Sequence, residues 1–260
     1  MILRQLRWVT ASLLAAAALL AAPARSDAAT TIMIQQVQLD ASGAVVGTIG
    51  ASAAYTTPTM FGQFALNSIS PNLVSGVSGF PTGPSRFFSL TTTVNVSPTS
   101  AAFDPSIGLQ VVVTVDGLQP LFDNQPGRLN NNAGASSGLE SGNNLISNQS
   151  QLLDGAAGNL GAASTTAVDA RPGPAPVGTA STSPAVAIMS IPGLFGIQQT
   201  ILVRAEAGAT GVVGTLGGTA STTVGIDTPA AVPAPAGLVL ALAAVPVLGL
   251  RRVLRRKTAV

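Results

Sequence analysis

Between residues 29 and 235 the groups with acid–base chemistry to offer are carboxylates: Asp40, Asp104, Asp116, Asp123, Asp154, Asp169, Asp227, Glu140 and Glu206. Two of them facing each other across a cleft would suit glycoside hydrolysis, one protonating the leaving group while the other attacks or activates water. Sugar clefts usually add aromatic platforms, yet the single tryptophan is Trp8, close to the N-terminus. Asp104-Pro105, Asp116-Gly117 and Asp154-Gly155 are ordinary turn pairs, so closing turns is the expected work of these acids.

Other catalytic constellations are removed by composition. The chain has no histidine and no cysteine. Ser-His-Asp and Cys-His arrangements therefore cannot be built, nor can disulfides or thiolate metal sites. The lone lysine is Lys257, so the central region has no Ser-Lys dyad, and no Walker-type loop occurs. Calcium is the metal an all-oxygen donor set would take. Asp116, Asp123 and Asn124, with Asn130, Asn131 and Asn132 nearby, are the candidate ligands, though without EF-hand spacing. The expectation is no catalytic residue, no bound metal and no cofactor. Adjacent Phe87 and Phe88 must point to opposite faces of a regular strand, which leaves one of them outward as a candidate partner contact.

The elements that would position such groups are strands. Phe88, Leu90, Thr92, Val94 and Val96 alternate with polar residues, as do Ile107, Leu109, Val111, Val113 and Val115. Phe195, Ile197, Ile201 and Val203 share a face opposite Gln198 and Thr200. Met33, Val37 and Leu39 alternate with Gln36 and Gln38, and Phe64 and Leu66 with Gln63 and Asn67. Val186 to Ile191 and Leu216 to Ile226 complete the set. Gly, Pro, Asn and Ser clusters separate these runs, which predicts an all-β, antiparallel β-sandwich or jelly-roll-like domain over 29–226. Residues 117–184 are rich in breakers and read as long loops, with a short helix or turn near 145–160. GTIGASAAYTT at Gly47 faintly echoes GTLGGTASTT at Gly214, as composition this rich in Gly, Ala and Thr does by chance.

Charge is concentrated at the ends. The 260-residue chain carries net +2; its first 28 residues carry +2 and the tail after Pro235 carries +5, leaving −5 for the middle. An acidic middle with no lysine excludes nucleic acid, which needs a basic face. Residues 1–28 read as a signal peptide: Arg4 and Arg7, an apolar run from Trp8 to Ala22, then small residues with Ala24 and Ala28 at the two candidate cuts. Residues 227–235 form a Pro/Ala linker, 236–250 a transmembrane helix and 251–260 a basic cytoplasmic stub. Arg251, Arg252, Arg255, Arg256 and Lys257 would stop transfer and hold the stub inside.

Val232, Pro233, Ala234, Pro235 and Ala236, followed by one apolar helix and an Arg-rich stub, resemble the PEP-CTERM family of sorting signals in its VPxPA-type form. That resemblance is confined to the C-terminal 29 residues. The commoner form of the motif has Glu where this chain has Ala234. It implies export in a Gram-negative bacterium and recognition by an exosortase-like membrane enzyme. The protein would be a membrane-anchored precursor through its C-terminal helix, then reach the cell surface or the extracellular space. The implied function is a noncatalytic surface or extracellular-matrix structural protein associated with biofilm exopolysaccharide. The competing expectations are an adhesin or glycan-binding module and, behind it, a two-carboxylate hydrolase.

Overall fold

The computed structural model describes residues 28–80, 83–99, 104–120, 124–137, 144–154, 158–170, 179–205 and 216–226. The signal segment up to residue 27, the sorting motif, the C-terminal helix and the basic stub lie outside the described residues, as do Asp123, Glu140, Glu206 and Asp227. Among the described residues no helix is long and apolar enough to cross a membrane.

The described elements are strands throughout. They are β1 (Ala29–Leu39), β2 (Val45–Ala54), β3 (Thr59–Phe61), β4 (Phe64–Phe80), β5 (Gly83–Pro98), β6 (Ile107–Leu118) and β7 (Gln125–Ser137). They continue with β8 (Asn144–Asp154), β9 (Gly158–Ala170), β10 (Thr179–Thr182), β11 (Val186–Ile191), β12 (Phe195–Ala205) and β13 (Leu216–Ile226). The first sheet runs β2-β1-β6-β12-β8-β9 and the second β10-β7-β13-β5-β4-β3, with every ladder antiparallel. β10 and β11 both lie along β7, one against Asn132 to Ala135 and the other against Gln125 to Leu129. Together they form one edge pass interrupted at 183–185. Pro184 falls in that gap, and proline has no N–H to give a ladder.

The two sheets stack as a sandwich because each strand supplies one apolar side. Phe88, Leu90, Val94 and Val96 of β5 meet Val111, Val113, Ile197, Ile201 and Val203 of the first sheet in one buried cluster. Phe88 and Phe195 cross edge to face at 5.3 Å between ring centroids, tying the second sheet to the first. Met33, Val37 and Leu39 do share a face, as their spacing predicts, but it is the outer one. Val37 and Leu39 are buried there over Gly108 beside Leu202, while Ile32 and Ile34 face the core. The two echoing segments are not equivalent: Gly47 belongs to an edge strand of the first sheet, and Leu216 to Thr223 of the other lie in central β13 of the second.

The loop expectation for 117–184 is overturned for the residues described. β7, β8, β9 and β10 run through it, and within 145–160 the described residues 145–154 and 158–160 are paired strand rather than helix. The physical reason is that these strands keep period two with polar residues on the inner side. In β8, Asn144, Ile146, Asn148, Ser150 and Leu152 are buried, alternating with Leu145, Ser147, Gln149, Gln151 and Leu153. A buried polar group is tolerated only when bonded, and these are bonded to one another. Thr92 Oγ1 donates to Gln199 Oε1 at 2.6 Å, and Gln199 Nε2 donates to Thr222 Oγ1 at 2.7 Å and to the Leu90 carbonyl at 3.0 Å. Thr222 and Ser150 hydroxyls lie 2.5 Å apart, and Ser150 donates to Asn131 Oδ1 at 3.1 Å. Asn148 Nδ2 also donates to Asn131 Oδ1, and Asn131 Nδ2 reaches the carbonyls of Asn148 and Ser164 at 2.6 and 3.0 Å. A polar seam thus crosses the sandwich interior from β5 to β9.

Candidate functional site

Among the described residues, the acids singled out by sequence do not assemble into a catalytic pair. Asp40 Oδ1 accepts from the Ser42 hydroxyl at 2.6 Å and from the Ser42 and Ala44 amides at 2.9 Å each, closing the β1–β2 turn. Asp104 Oδ1 does the same for Ser106, from the hydroxyl at 2.6 Å and the amide at 2.9 Å. The serine hydroxyl in each turn, with the backbone amides behind it, holds the carboxyl below the usual carboxylate range. The two turns adjoin, since the Leu39 amide donates to the Ser106 carbonyl at 2.7 Å. Two carboxyls that both prefer the ionised form leave no proton donor at neutral pH. Asp154 pairs with Gly158 at one end of the β8–β9 hairpin, and Asp169 pairs with Leu145 near the other. At about 3.3 Å per residue they stand roughly 30 Å apart. Asp116 lies against Gly196, where an added Cβ would come within 2.4 Å of its carboxylate.

The described candidate calcium ligands diverge; Asp123 lies outside the described residues. Asn131 is fully buried in the seam, whereas Asn130 and Asn132 face out of the second sheet. Asn124 holds a left-handed turn at φ 56°. Among the described residues no three acidic, histidine or cysteine side chains cluster as a metal site would require. Phe88 is in the core, and the outward ring, Phe87, lies across Gly76 of the neighbouring strand, where a Cβ would sit 2.8 Å from the ring. Phe87 therefore has a structural cover to provide. Arg86 is buried with its guanidinium 4.9 Å from the Phe88 ring centroid, and that burial lowers its pKa.

What the fold does assemble is a pair of uncharged outer faces. On the second sheet, ladder register places Asn132, Ser221, Thr91 and Asn72 in one row across β7, β13, β5 and β4. Asn130, Thr223 and Ser89 lie in the next row, with Thr219, Thr93 and Ser70 on the other side. Hydroxyls touch across strands, Thr91 to Ser221 at 3.2 Å and Ser89 to Thr223 at 3.3 Å. On the first sheet the row is Thr31, Thr114, Gln198 and Gln151, with Gln151 Nε2 donating to Gln198 Oε1 at 2.8 Å. The strand-borne charges Arg86, Asp116, Arg128, Asp154, Asp169 and Arg204 all fall within four residues of a strand end.

A concavity lies at the rim of the first sheet. Two hollows of about 250 and 540 Å³ meet at Leu145 and Arg204. Ser147, Leu202 and Asp169 line the first, and Leu39, Asp40, Ser42 and Ser106 line the second. The Arg204 guanidinium rests on Gly43, whose φ of +81° is a conformation glycine adopts without strain; a Cβ there would fall 1.4 Å from Nη1. In the sequence Arg204 is one of four arginines between residues 29 and 235, with Arg86, Arg128 and Arg171. The available signal is an arginine directly after the apolar run Ile201 to Val203 of β12; its neighbour Gly43 is set by strand pairing and not by the sequence.

No family model matches the chain, and no curated protein matches it. Among solved structures it is similar to that of infectious bursal disease virus Gx strain, at TM-score 0.26 and 13% identity over 82% of this chain; the match spans about half, 54%, of the viral chain. It is also similar to the family 11 carbohydrate-binding module from Clostridium thermocellum in complex with a β-1,3-1,4-mixed-linked tetrasaccharide. That likeness has TM-score 0.19 and 7% identity, over 74% of this chain and 95% of the module. A further likeness is to carbohydrate-binding modules of the β-sandwich superfamily, at TM-score 0.24 and 10% identity, over 78% and 85%. At scores this low, nothing those proteins bind carries over to this chain.

Proposed function

We propose that this chain is a noncatalytic, exported structural protein of the cell surface or extracellular matrix, delivered by an exosortase-like system and associated with exopolysaccharide. The observation that carries the reading is the distribution of charge. Both broad faces present hydroxyls and amides, while charges are relegated to strand ends. Such faces neither repel one another nor attract polyions, so the sandwich suits a hydrated polysaccharide gel. The depressed carboxyls of Asp40 and Asp104 argue in the same direction, because neither is suited to general-acid work. A second reading, a glycan-binding module, is favoured by the hollow at Arg204.

Sorting rests on the VPAPA motif with its apolar helix and basic stub. Ala28 packs against the core, which favours Ala24 over Ala28 as the signal-peptide cut. The test is cell fractionation with a tag placed near Asp227. The parent should be recovered with the extracellular polysaccharide. Pro233→Ala with Pro235→Ala should stay membrane-inserted and unprocessed, and replacing Arg251, Arg252, Arg255, Arg256 and Lys257 with Ser should impair retention or processing. Delivery of both variants like the parent would reduce the segment to a plain membrane anchor.

A further inference from the structure

We propose that the hollow at Arg204 is a binding site for a neutral saccharide, an inference that rests on the matrix reading above and gives it a contact point. Ladder register sets Arg204, Leu145 and Asp169 side by side on β12, β8 and β9, on the outer face of the first sheet. Directly opposed side chains in such a row stand about 5 Å apart. Arg204 and Asp169 therefore flank an apolar floor at Leu145 about as wide as a sugar ring. The next row is Leu202, Ser147 and Ala167, whose small serine and alanine leave the floor open. The 40–44 turn with Ser42 forms the opposite wall, and Ser106 adds another hydroxyl.

The arginine is held ready for this. A guanidinium carries five N–H donors, and among the described residues no carboxylate or carbonyl pairs with that of Arg204. It is located by the bare surface of Gly43. A cation with free donors above an apolar floor, beside the Ser147 hydroxyl and the acceptor lone pairs of Ser42 and Ser106, whose protons go to Asp40 and Asp104, matches what sugar hydroxyls and C–H faces require together. The class of sugar follows from the charge of the lining. Asp40 balances Arg204 in the lining, so a uronate or sulfated chain gains no net attraction. The larger hollow, about 540 Å³, falls within the range of about 300–1,000 Å³ usual for small-molecule sites.

The test is affinity electrophoresis of the exported full-length protein through gels containing soluble cellulose ether, laminarin, xylan or dextran, with polygalacturonate as the acidic counterpart. At least one neutral polymer should retard the parent. Arg204→Ala should weaken that retardation about tenfold, as loss of charge-assisted hydrogen bonds does. Arg204→Lys should not restore it, because an ammonium lacks the planar fork. Thr93→Ala with Ser221→Ala, on the other sheet, should bind like the parent. Circular dichroism of each variant checks folding. Equal binding by parent and Arg204→Ala, retardation by polygalacturonate alone, or no retardation by any neutral polymer overturns the site. Fractionation separates the two proposals: a parent absent from the extracellular polysaccharide fraction overturns the matrix reading itself, whereas parent and Arg204→Ala recovered there alike overturn only the site.

Discussion

Thr92 on one sheet donates a 2.6 Å hydrogen bond to Gln199 on the other, in an interior where neither side chain reaches water. The bond fixes a proton order beyond itself. With Oε1 taken by Thr92, the Gln199 amide donates to Thr222 Oγ1, so the Thr222 hydroxyl is free to donate onward to Ser150, which donates to Asn131. Each member has its partner only if the sheets stack in this one register. Shifting a strand by one residue would turn its whole seam position outward. The seam therefore specifies the stacking, while apolar burial drives it.

Gln199→Leu should show the cost of breaking the seam. It strands the Thr92 hydroxyl and removes the amide donor from Thr222 Oγ1 and the Leu90 carbonyl in a dry interior. An unsatisfied buried group costs about 1–3 kcal/mol, so a loss of about 3 kcal/mol is expected in urea unfolding. For a domain of this size that is roughly 6–12 °C in Tm. The triple variant Thr92→Val, Gln199→Leu and Thr222→Val should recover part of the loss, because it removes partners together. A single variant as stable as the parent would show that the seam contributes nothing.

Phe88→Ala should be the most destabilising single truncation in the second sheet. The ring is fully buried, meets Phe195 edge to face and carries the Arg86 guanidinium. Large-to-small aromatic changes in a core cost about 3–5 kcal/mol. Phe87→Ala, next to it but facing outward over Gly76, should cost less than half as much by the same unfolding measurement.

Acid should weaken the two turn caps. Asp40 and Asp104 have carboxyls depressed in the folded state by their serine and backbone donors. A depressed carboxyl contributes stability above its unfolded value, about 3.9, and loses it as pH falls through the folded value. The parent's Tm should therefore decline below about pH 4, and Asp40→Ala with Asp104→Ala should flatten that decline. Thermal scans between neutral and strongly acidic pH measure it. Parallel curves for parent and variant would remove the caps from the account.

The strands that were legible in the sequence are those whose inner positions are apolar. β13 spans Leu216 to Ile226 as expected, and the inner residues of β5, β6 and β12 were read correctly. β7, β8 and β9 look like loops in the sequence because Asn131, Asn148, Ser150 and Ser164 occupy their inner positions, and a hydrophobic pattern cannot register a polar interior. A trace of the seam was visible even so. Thr92 between Leu90 and Val94, Gln199 between Ile197 and Ile201, and Thr222 between Ala220 and Val224 are polar gaps in otherwise apolar faces. Three gaps on three strands are a hint of mutual pairing that single-strand reading passes over. The hollow at Arg204 was not legible, because it depends on which strands become neighbours.

Gly218 offers a direct test of how tightly the sheets approach. It faces inward from β13, and a Cβ built there would fall 1.9 Å from Ile146 Cδ1 of the opposite sheet and 2.8 Å from the Gly134 carbonyl on neighbouring β7. The isoleucine tip can rotate away, but the carbonyl is held by its ladder with β13. Gly218→Ala should therefore destabilise by about 1–3 kcal/mol, as overpacking does. Adding Ile146→Val should relieve only part of it, since the contact with the carbonyl persists. The double-mutant cycle reads the coupling between the two sites. A Gly218→Ala variant as stable as the parent, or full rescue by Ile146→Val, would mean that the backbone contact is not limiting and that the isoleucine alone sets the spacing of the sheets.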